Sequence, residues 1–249
     1  MKPYFERDGI VIYHADARDV LPTLEAVDHV ITDPPYEAEA HTKGRRVKRS
    51  GTPPFDSWAW TDRRGTPRYE CLPFAAISDE LRREVAQHFG RLVRRWVIVF
   101  SQAEGAHKWQ AEMVGSGLSQ RRWCVWVKPD AQPQFSGDRP GVGYETIVAC
   151  HAKGRSRWHG GGRVGVFTHR HAQGGYHVTE KPLPLMRELV ALFTDPGETI
   201  LDCFAGSGTT LRAAKDLGRK AIGVEISEAY CQTIVRRLEQ EVLPLEFAI

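Results

Sequence analysis

The segment Thr199-Ile-Leu-Asp-Cys-Phe-Ala-Gly-Ser-Gly-Thr-Thr210 most constrains what this chain can fold into. A β-forming run ends in Asp202, passes through small residues and enters a helical pattern directly, as in the strand-turn-helix unit of a doubly wound α/β sheet. Gly206 and Gly208 let the backbone turn tightly and approach a ligand with no Cβ in the way. Asp202 would then stand at the carboxyl edge of the sheet, where such folds bind ligands, able to accept hydrogen bonds from a cationic or hydroxylated group. Glu225 closes the next apolar run, Ala221-Ile-Gly-Val-Glu225, and a carboxylate there suits a ribose diol. A dinucleotide fingerprint needs a third Gly or Ala that Thr210-Leu-Arg does not supply, and the Gly-Lys-Ser/Thr of a phosphate-binding P-loop is absent.

The rest of the chain extends this unit. Strand-like runs at Ile10 to His14, His29 to Thr32, Trp96 to Phe100, Trp123 to Lys128, Thr146 to Cys150, Thr199 to Asp202 and Lys220 to Glu225 alternate with helical periodicity. That periodicity covers Asp79 to Arg94, Glu104 to Gly115, Pro182 to Phe193, Thr209 to Leu217 and Ser227 to Gln240. The pattern predicts an α/β protein with a mostly parallel seven-stranded sheet covered on both faces. At 249 residues and 41% apolar side chains, a single domain spanning 1–249 is expected. The five cysteines read as reduced core residues, and His169 and His171 lack nearby ligand partners in sequence, so no metal set is expected. The start carries charges instead of an apolar signal core, and no run is apolar enough to span a membrane. A soluble cytoplasmic protein, bacterial or phage-encoded, is the expectation.

Charge is unevenly placed. Residues 41–49 and 151–177 each hold five Lys or Arg and no Asp or Glu, and removing those ten takes the net charge from +3 to near −7. A basic insertion at 37–73 and a second basic loop at 151–177 are what a polyanion-binding rim on an acidic body would look like.

Val27-Asp-His-Val-Ile-Thr-Asp-Pro-Pro-Tyr36 ends another strand in a carboxylate, two prolines and an aromatic ring. The prolines fix their own φ, so the carbonyls of Asp33 and Pro34 are held as rigid acceptors. An exocyclic base amine is a poor nucleophile because its lone pair is conjugated with the ring. Acceptors on both of its N–H groups favour the pyramidal form with the lone pair free. Tyr36 can stack on a base that has left the duplex.

Asp33-Pro34-Pro35-Tyr36 together with Asp202-x-Phe204-x-Gly206-x-Gly208 resembles the amino-methylating DNA methyltransferases. His177-Val-Thr-Glu-Lys-Pro182 resembles their His-Pro-Thr-Gln-Lys-Pro segment, departing from it at Val178 and Glu180. The tetrapeptide precedes the glycine turn, an order that resembles the β class and implies a Rossmann-like methyltransferase fold in circularly permuted strand order. The resemblance implies S-adenosyl-L-methionine as methyl donor, held by Asp16, Asp33, Thr179, Lys181, Asp202, Phe204, Ala205, Gly206, Gly208, Thr209 and Glu225. Catalysis falls to Asp33, Pro34, Pro35 and Tyr36, acting on the N6 amine of a flipped adenine in double-stranded DNA. Cytosine N4 demands the same acceptor geometry, but the family's cytosine enzymes more often begin the tetrapeptide with Ser, so Asp33 tilts the reading to adenine. RNA amino-methylation and a non-catalytic DNA-binding role are the weaker alternatives.

Target recognition is implied for the 151–177 loop. Arg155, Arg157, Arg163 and Arg170 are its candidate phosphate or base contacts and Trp158 its candidate wedge. Lys43, Arg45, Arg46, Lys48 and Arg49 are the corresponding phosphate contacts of the first insertion. The resemblance also implies a homodimer and admits a cognate restriction nuclease as partner. Asp16 could equally be a helix cap. Lys128 and Ser101 could face the site, and Tyr144-Glu145 opens a strand where the resemblance implies an aromatic or acidic residue that can help hold the target base, although neither is counted among the site residues.

Overall fold

A computed structural model describes residues 1–36, 76–133, 137–172 and 180–240. The strands are β1 (Phe5–Arg7), β2 (Ile10–His14), β3 (His29–Thr32), β4 (Trp96–Ser101), β5 (Ser119–Val127), β6 (Tyr144–His151), β7 (Val166–Thr168), β8 (Thr199–Asp202) and β9 (Lys220–Glu225). The helices are α1 (Ala17–Val20), α2 (Asp79–Leu92), α3 (Ala103–Gly115), α4 (Leu183–Phe193), α5 (Thr209–Asp216) and α6 (Glu228–Glu239).

All described strands join one sheet in the order β1-β2-β9-β8-β3-β4-β6-β5-β7. The inner seven are those the sequence predicts. β2, β9, β8, β3 and β4 run parallel, whereas β6 is antiparallel to both β4 and β5. The additions are short edge strands. β1 pairs with β2 through an Asp8-Gly9 turn with both φ angles positive (51° and 76°), a two-residue hairpin loop that Asp-Gly suits.

Burial on both faces explains the continuous apolar runs. In β4 every residue is buried, with Val97 and Val99 facing α2 and α3 while Ile98 and Phe100 face α4, α5 and α6. Burying a side chain such as Phe100 or Leu189 contributes about 2 kcal/mol. α2 begins where Ser78 accepts from the Leu81 N–H at 3.1 Å, with Asp79 and Glu80 in its positive first turn. Helix α5 lies close over β9 because Gly223 leaves room: a Cβ there would sit 2.6 Å from Leu211 Cδ2.

The topology places the site. From β3 the chain moves outward to β4, and from β8 it moves outward the other way to β9, so β3 and β8 are neighbours whose carboxyl ends flank a switch-point crevice. Asp33 follows β3 and Asp202 ends β8.

Candidate active site

The glycine turn is built as a cradle. Asp202 is buried at 2% exposure, where its Oδ1 accepts from the Thr32 hydroxyl at 2.7 Å and the Phe204 N–H at 3.2 Å. Burial raises its carboxyl above the usual range, against the pull of hydrogen bonds from Thr210, Thr32 and Phe204. Gly206 (φ 51°) and Gly208 (φ 78°) adopt the left-handed backbone, and Gly208 caps α5 in that conformation. The Ala205 N–H ties the turn to Val224 O at 3.0 Å. Thr209 is buried at the start of α5 and Phe204 packs partly buried beside Cys203. Glu225 accepts from the Gly206 N–H and the Ser227 N–H, each at 2.8 Å, which fixes both carboxylate oxygens while leaving lone pairs for a diol. Burial raises Glu225 as well.

These residues fit the amino end and ribose of S-adenosylmethionine. The buried carboxylate of Asp202 meets a cation or hydroxyl, and the turn offers backbone with no Cβ to intrude. Asp16 stands beyond β2 on the same edge, next to Glu225, whose carbonyl accepts from the Ala15 N–H at 3.1 Å. Its carboxylate caps α1 through the Arg18 N–H (2.9 Å) and pairs with the Arg18 guanidinium (2.7 Å), which holds its carboxyl below the usual range.

The second half of the crevice is a compact charge cluster. Lys181 Nζ, 7% exposed, donates to Asp33 Oδ2 and lies 3.4 Å from Glu145 Oε2. The Tyr36 hydroxyl donates to Glu145 Oε2 at 2.6 Å, and Lys128 Nζ donates to Oε1 at 2.5 Å. The Lys181 ammonium also sits over the rings of Tyr36 (5.3 Å) and Phe100 (5.1 Å). Asp33 as a whole keeps 26% of its side chain exposed, yet its Oδ1 is covered and has no hydrogen-bond partner among the described residues. An enclosed acceptor without a donor costs about 1–3 kcal/mol, a cost a bound amine N–H would remove.

Electrostatics separate the two carboxylates. Burial, reinforced by Glu145 and Asp202 and opposed by Lys181, raises Asp33 to about 6. Burial would raise Glu145 too, but Lys181 and Lys128 outweigh it and hold that carboxyl down at about 2. Burial, with Asp33 and Glu145 nearby, pushes the Tyr36 phenol well above its ordinary value. Pro34 is buried and Pro35 partly so, and the Tyr36 carbonyl accepts from the Ile77 N–H at 3.2 Å, fixing the end of the tetrapeptide.

Sequence reasoning named Glu145 without counting it in the site, and missed Phe100 and Thr32. Glu145 reaches the crevice because β6 is antiparallel, so its first residues lie at the edge where the parallel strands end, and strand direction is not written in a β-forming run. Ser101 turns to the Gln102 carbonyl at 2.8 Å, away from the cluster.

The basic 151–177 loop is divided by the sheet. β6 ends at His151, opposite Trp96 at the start of β4, so the residues that follow emerge at the amino edge. Arg157 pairs there with Asp195 at 3.0 Å, and its carbonyl accepts from Trp96 Nε1 at 2.6 Å. Trp158 packs on Phe193 (ring centroids 4.8 Å apart) and donates to Gly161 O at 3.0 Å, so it is part of the packed surface and not a free wedge. Arg155, Arg157 and Trp158 therefore lie a strand length, roughly 20 Å, from the Asp33 edge. Any phosphate or base contact expected of Arg155, Arg157 and Trp158 would thus be made away from the Asp33 edge. Arg163 pairs with Glu188 and lies over the Phe167 ring at 5.6 Å. Arg170 is exposed beyond β7, which runs parallel to β5 and returns the chain to the carboxyl edge. His169 pairs with Glu188 (2.6 Å) and His171 with Asp130 (3.1 Å), so the two do not share a ligand. Thr179, Lys43, Arg45, Arg46, Lys48 and Arg49 lie outside the described residues.

Comparison with known proteins agrees with this geometry. Residues 152–236 match a family model described as DNA methylase. The chain is 25% identical to Type II methyltransferase M2.LlaDCHI of Lactococcus lactis subsp. cremoris, over 96% of its own length and 93% of that protein's. It is 52% identical to Type II methyltransferase M.HindIII of Haemophilus influenzae over 64 residues, 26% of this chain and 21% of that one. The crystal structure of an M1.HpyAVI-SAM complex superposes with a TM-score of 0.69 at 24% identity, covering 93% of this chain and all of that one, and shows the same fold. Together these matches support an amino-methylating DNA methyltransferase of the β class, with S-adenosylmethionine as methyl donor.

Proposed function

We propose that this enzyme methylates the N6 amine of an adenine flipped out of double-stranded DNA. The observation that carries the reading is the covered, unpartnered Oδ1 of Asp33 at the crevice between β3 and β8, beside the rigid Pro34 carbonyl. Oδ1 accepts one amine N–H and the Pro34 carbonyl the other, which frees the nitrogen lone pair. Tyr36 stacks on the base, and Asp33 stabilises the positive charge that the nitrogen acquires. Asp16, Asp202, Phe204, Ala205, Gly206, Gly208, Thr209 and Glu225 hold the donor, together with Thr179. S-adenosylmethionine, when bound, supplies an electrophilic methyl group on a sulfonium, so the protein's task is orientation more than strong base catalysis.

Adenine is favoured by the leading Asp of the tetrapeptide and by 43% identity over 63 residues to DNA adenine methyltransferase YhdJ of Escherichia coli. Cytosine N4 is the second reading, since the fold also matches the cytosine-N4-specific PvuII DNA methyltransferase with a TM-score of 0.72 at 13% identity. Arg170 contacts DNA at the reacting edge, and the basic residues of the 37–73 insertion supply further phosphate contacts. The type II relatives support a restriction-modification setting with a cognate nuclease, and a homodimer belongs to the same reading.

Incubation with tritiated S-adenosylmethionine and unmethylated genomic DNA, followed by nucleoside mass spectrometry, tests the proposal. N6-methyladenine is expected, N4-methylcytosine would move the target to the second reading, and donor binding without either product would overturn both. Asp33→Ala should abolish transfer and leave donor binding measurable.

A further inference from the structure

Glu145 belongs to neither the tetrapeptide nor the glycine turn, yet three of the crevice's polar groups converge on it. Its Oε1 takes Lys128, and its Oε2 takes the Tyr36 hydroxyl and faces Lys181. Its own side chain is 13% exposed and that of Lys128 12%, so these charges act with little solvent between them. Lys181 is clamped between the two carboxylates and the rings of Tyr36 and Phe100. An ammonium has three N–H donors, enough to serve both carboxylates at once. Asp33 consequently has its two oxygens in different states: Oδ2 is engaged by Lys181, and Oδ1 is enclosed with no hydrogen-bond partner among the described residues.

We propose that Glu145 is a positioning residue for methyl transfer: by drawing Lys181 and the Tyr36 hydroxyl to its own carboxylate, it leaves Asp33 Oδ1 available to the substrate amine. This rests on the assignment of Asp33 as amine acceptor. Were Glu145 neutral, Lys181 would have one carboxylate partner, Asp33, and the ammonium would be free to cover both oxygens. A neutral incoming amine would then compete with a cation for Oδ1. With Glu145 charged, two ammoniums and two carboxylates balance, and the amine enters without displacing Lys181. Among the described residues, the groups facing Asp33 are Lys181 from the loop before α4, Glu145 from β6, Asp202 from β8 and Tyr36 from its own segment. Glu145 raises the proton affinity of Asp33 and Lys181 lowers it, so the two have opposite effects on one titration.

The test reads that titration directly. In protein labelled with [4-13C]aspartate, with Asp33→Asn for assignment, the Asp33 carboxyl should titrate near 6 in the wild type. Glu145→Gln, which keeps an acceptor for Tyr36 but loses the charge, should move the midpoint down by about one pH unit, and Lys181→Met should move it up. In methyl-transfer assays Glu145→Gln should lose at least ~10-fold in kcat while donor affinity by calorimetry stays within about twofold, and Glu145→Asp should recover part of the loss. An Asp33 midpoint unmoved in Glu145→Gln, or a kcat within about twofold of wild type, would overturn the proposal. The NMR titration needs no DNA target. A wild type that transfers no methyl group therefore refutes the proposed function, whereas an unmoved midpoint refutes this coupling.

Discussion

Substituting Gly208 by Ala separates two reasons for a glycine in this turn. A left-handed φ of 78° costs an L-residue roughly 1–2 kcal/mol. The added Cβ would lie 2.8 Å from both Cγ1 and Cγ2 of Ile234, whose side chain is fully buried under α6 and has nowhere to retreat. Overpacking of that kind costs about 1–3 kcal/mol, so Gly208→Ala should destabilise the fold by roughly 2–4 kcal/mol. Gly206 is the control. Its φ of 51° carries a similar conformational cost, but a Cβ there meets nothing within 4 Å, and the loss of chain entropy in the unfolded state returns about 0.4–1 kcal/mol. Gly206→Ala should therefore unfold within about 1 kcal/mol of wild type. Urea unfolding measures both, and calorimetric titration of S-adenosylmethionine measures the second effect: Gly206→Ala should weaken donor binding at least ~10-fold at nearly unchanged stability, because its new methyl group projects into open space at the cradle. Equal stability losses in the two variants would refute the packing argument for Gly208. Undiminished donor affinity in Gly206→Ala would refute the claim that its missing side chain serves ligand approach.

Four further outcomes follow from the same geometry. Because Asp33 must be ionised to accept the amine, kcat/KM should fall as pH drops through about 6, and a flat profile between pH 5 and pH 8 would contradict its role. The stability effects run in opposite windows: Asp33, raised from 3.8 to about 6, makes folding less favourable as pH rises across that interval, whereas Glu145, lowered from 4.5 to about 2, contributes stability that is lost as pH falls through its window; unfolding of Asp33→Asn and Glu145→Gln across pH 2–7 measures each slope. Thr32→Val removes the 2.7 Å donor to buried Asp202 and should weaken donor binding by about 1–2 kcal/mol in calorimetry, roughly 5- to 30-fold. Arg170→Ala should weaken DNA binding and reduce the salt slope by about one, whereas Arg157→Ala, at the opposite edge of the sheet, should leave the slope unchanged in salt-dependent fluorescence anisotropy.

The sequence was most legible where one residue's local chemistry decided the structure. The seven inner strands and five of the helices lie where periodicity puts them, because runs buried on both faces of a sheet and helices covering it carry strong, different periods. β1 was also written there, in Asp8-Gly9, but its three residues are too few to show alternation. What stayed hidden depends on direction and pairing. Trp158 in a basic loop has the composition of a stacking residue, and only the end of β6 at the amino edge reveals that it packs on Phe193. Lys181 was expected at the donor, but its place between Asp33 and Glu145 depends on the direction of β6 and could not be read from the sequence.

The seam between β3 and β8 explains why two halves so distant in sequence work as one site. Thr32 and Asp202 are separated by most of the chain, yet their side chains share a 2.7 Å hydrogen bond. The residue after Thr32 is the amine acceptor of the proposed reaction, so one backbone step links the donor pocket to the substrate pocket. Strand order brings the two carboxylates together without either element contacting the other through a loop. A permuted chain that keeps these neighbours keeps the site, because the catalytic geometry resides in which strand ends are adjacent and not in the order in which the chain visits them.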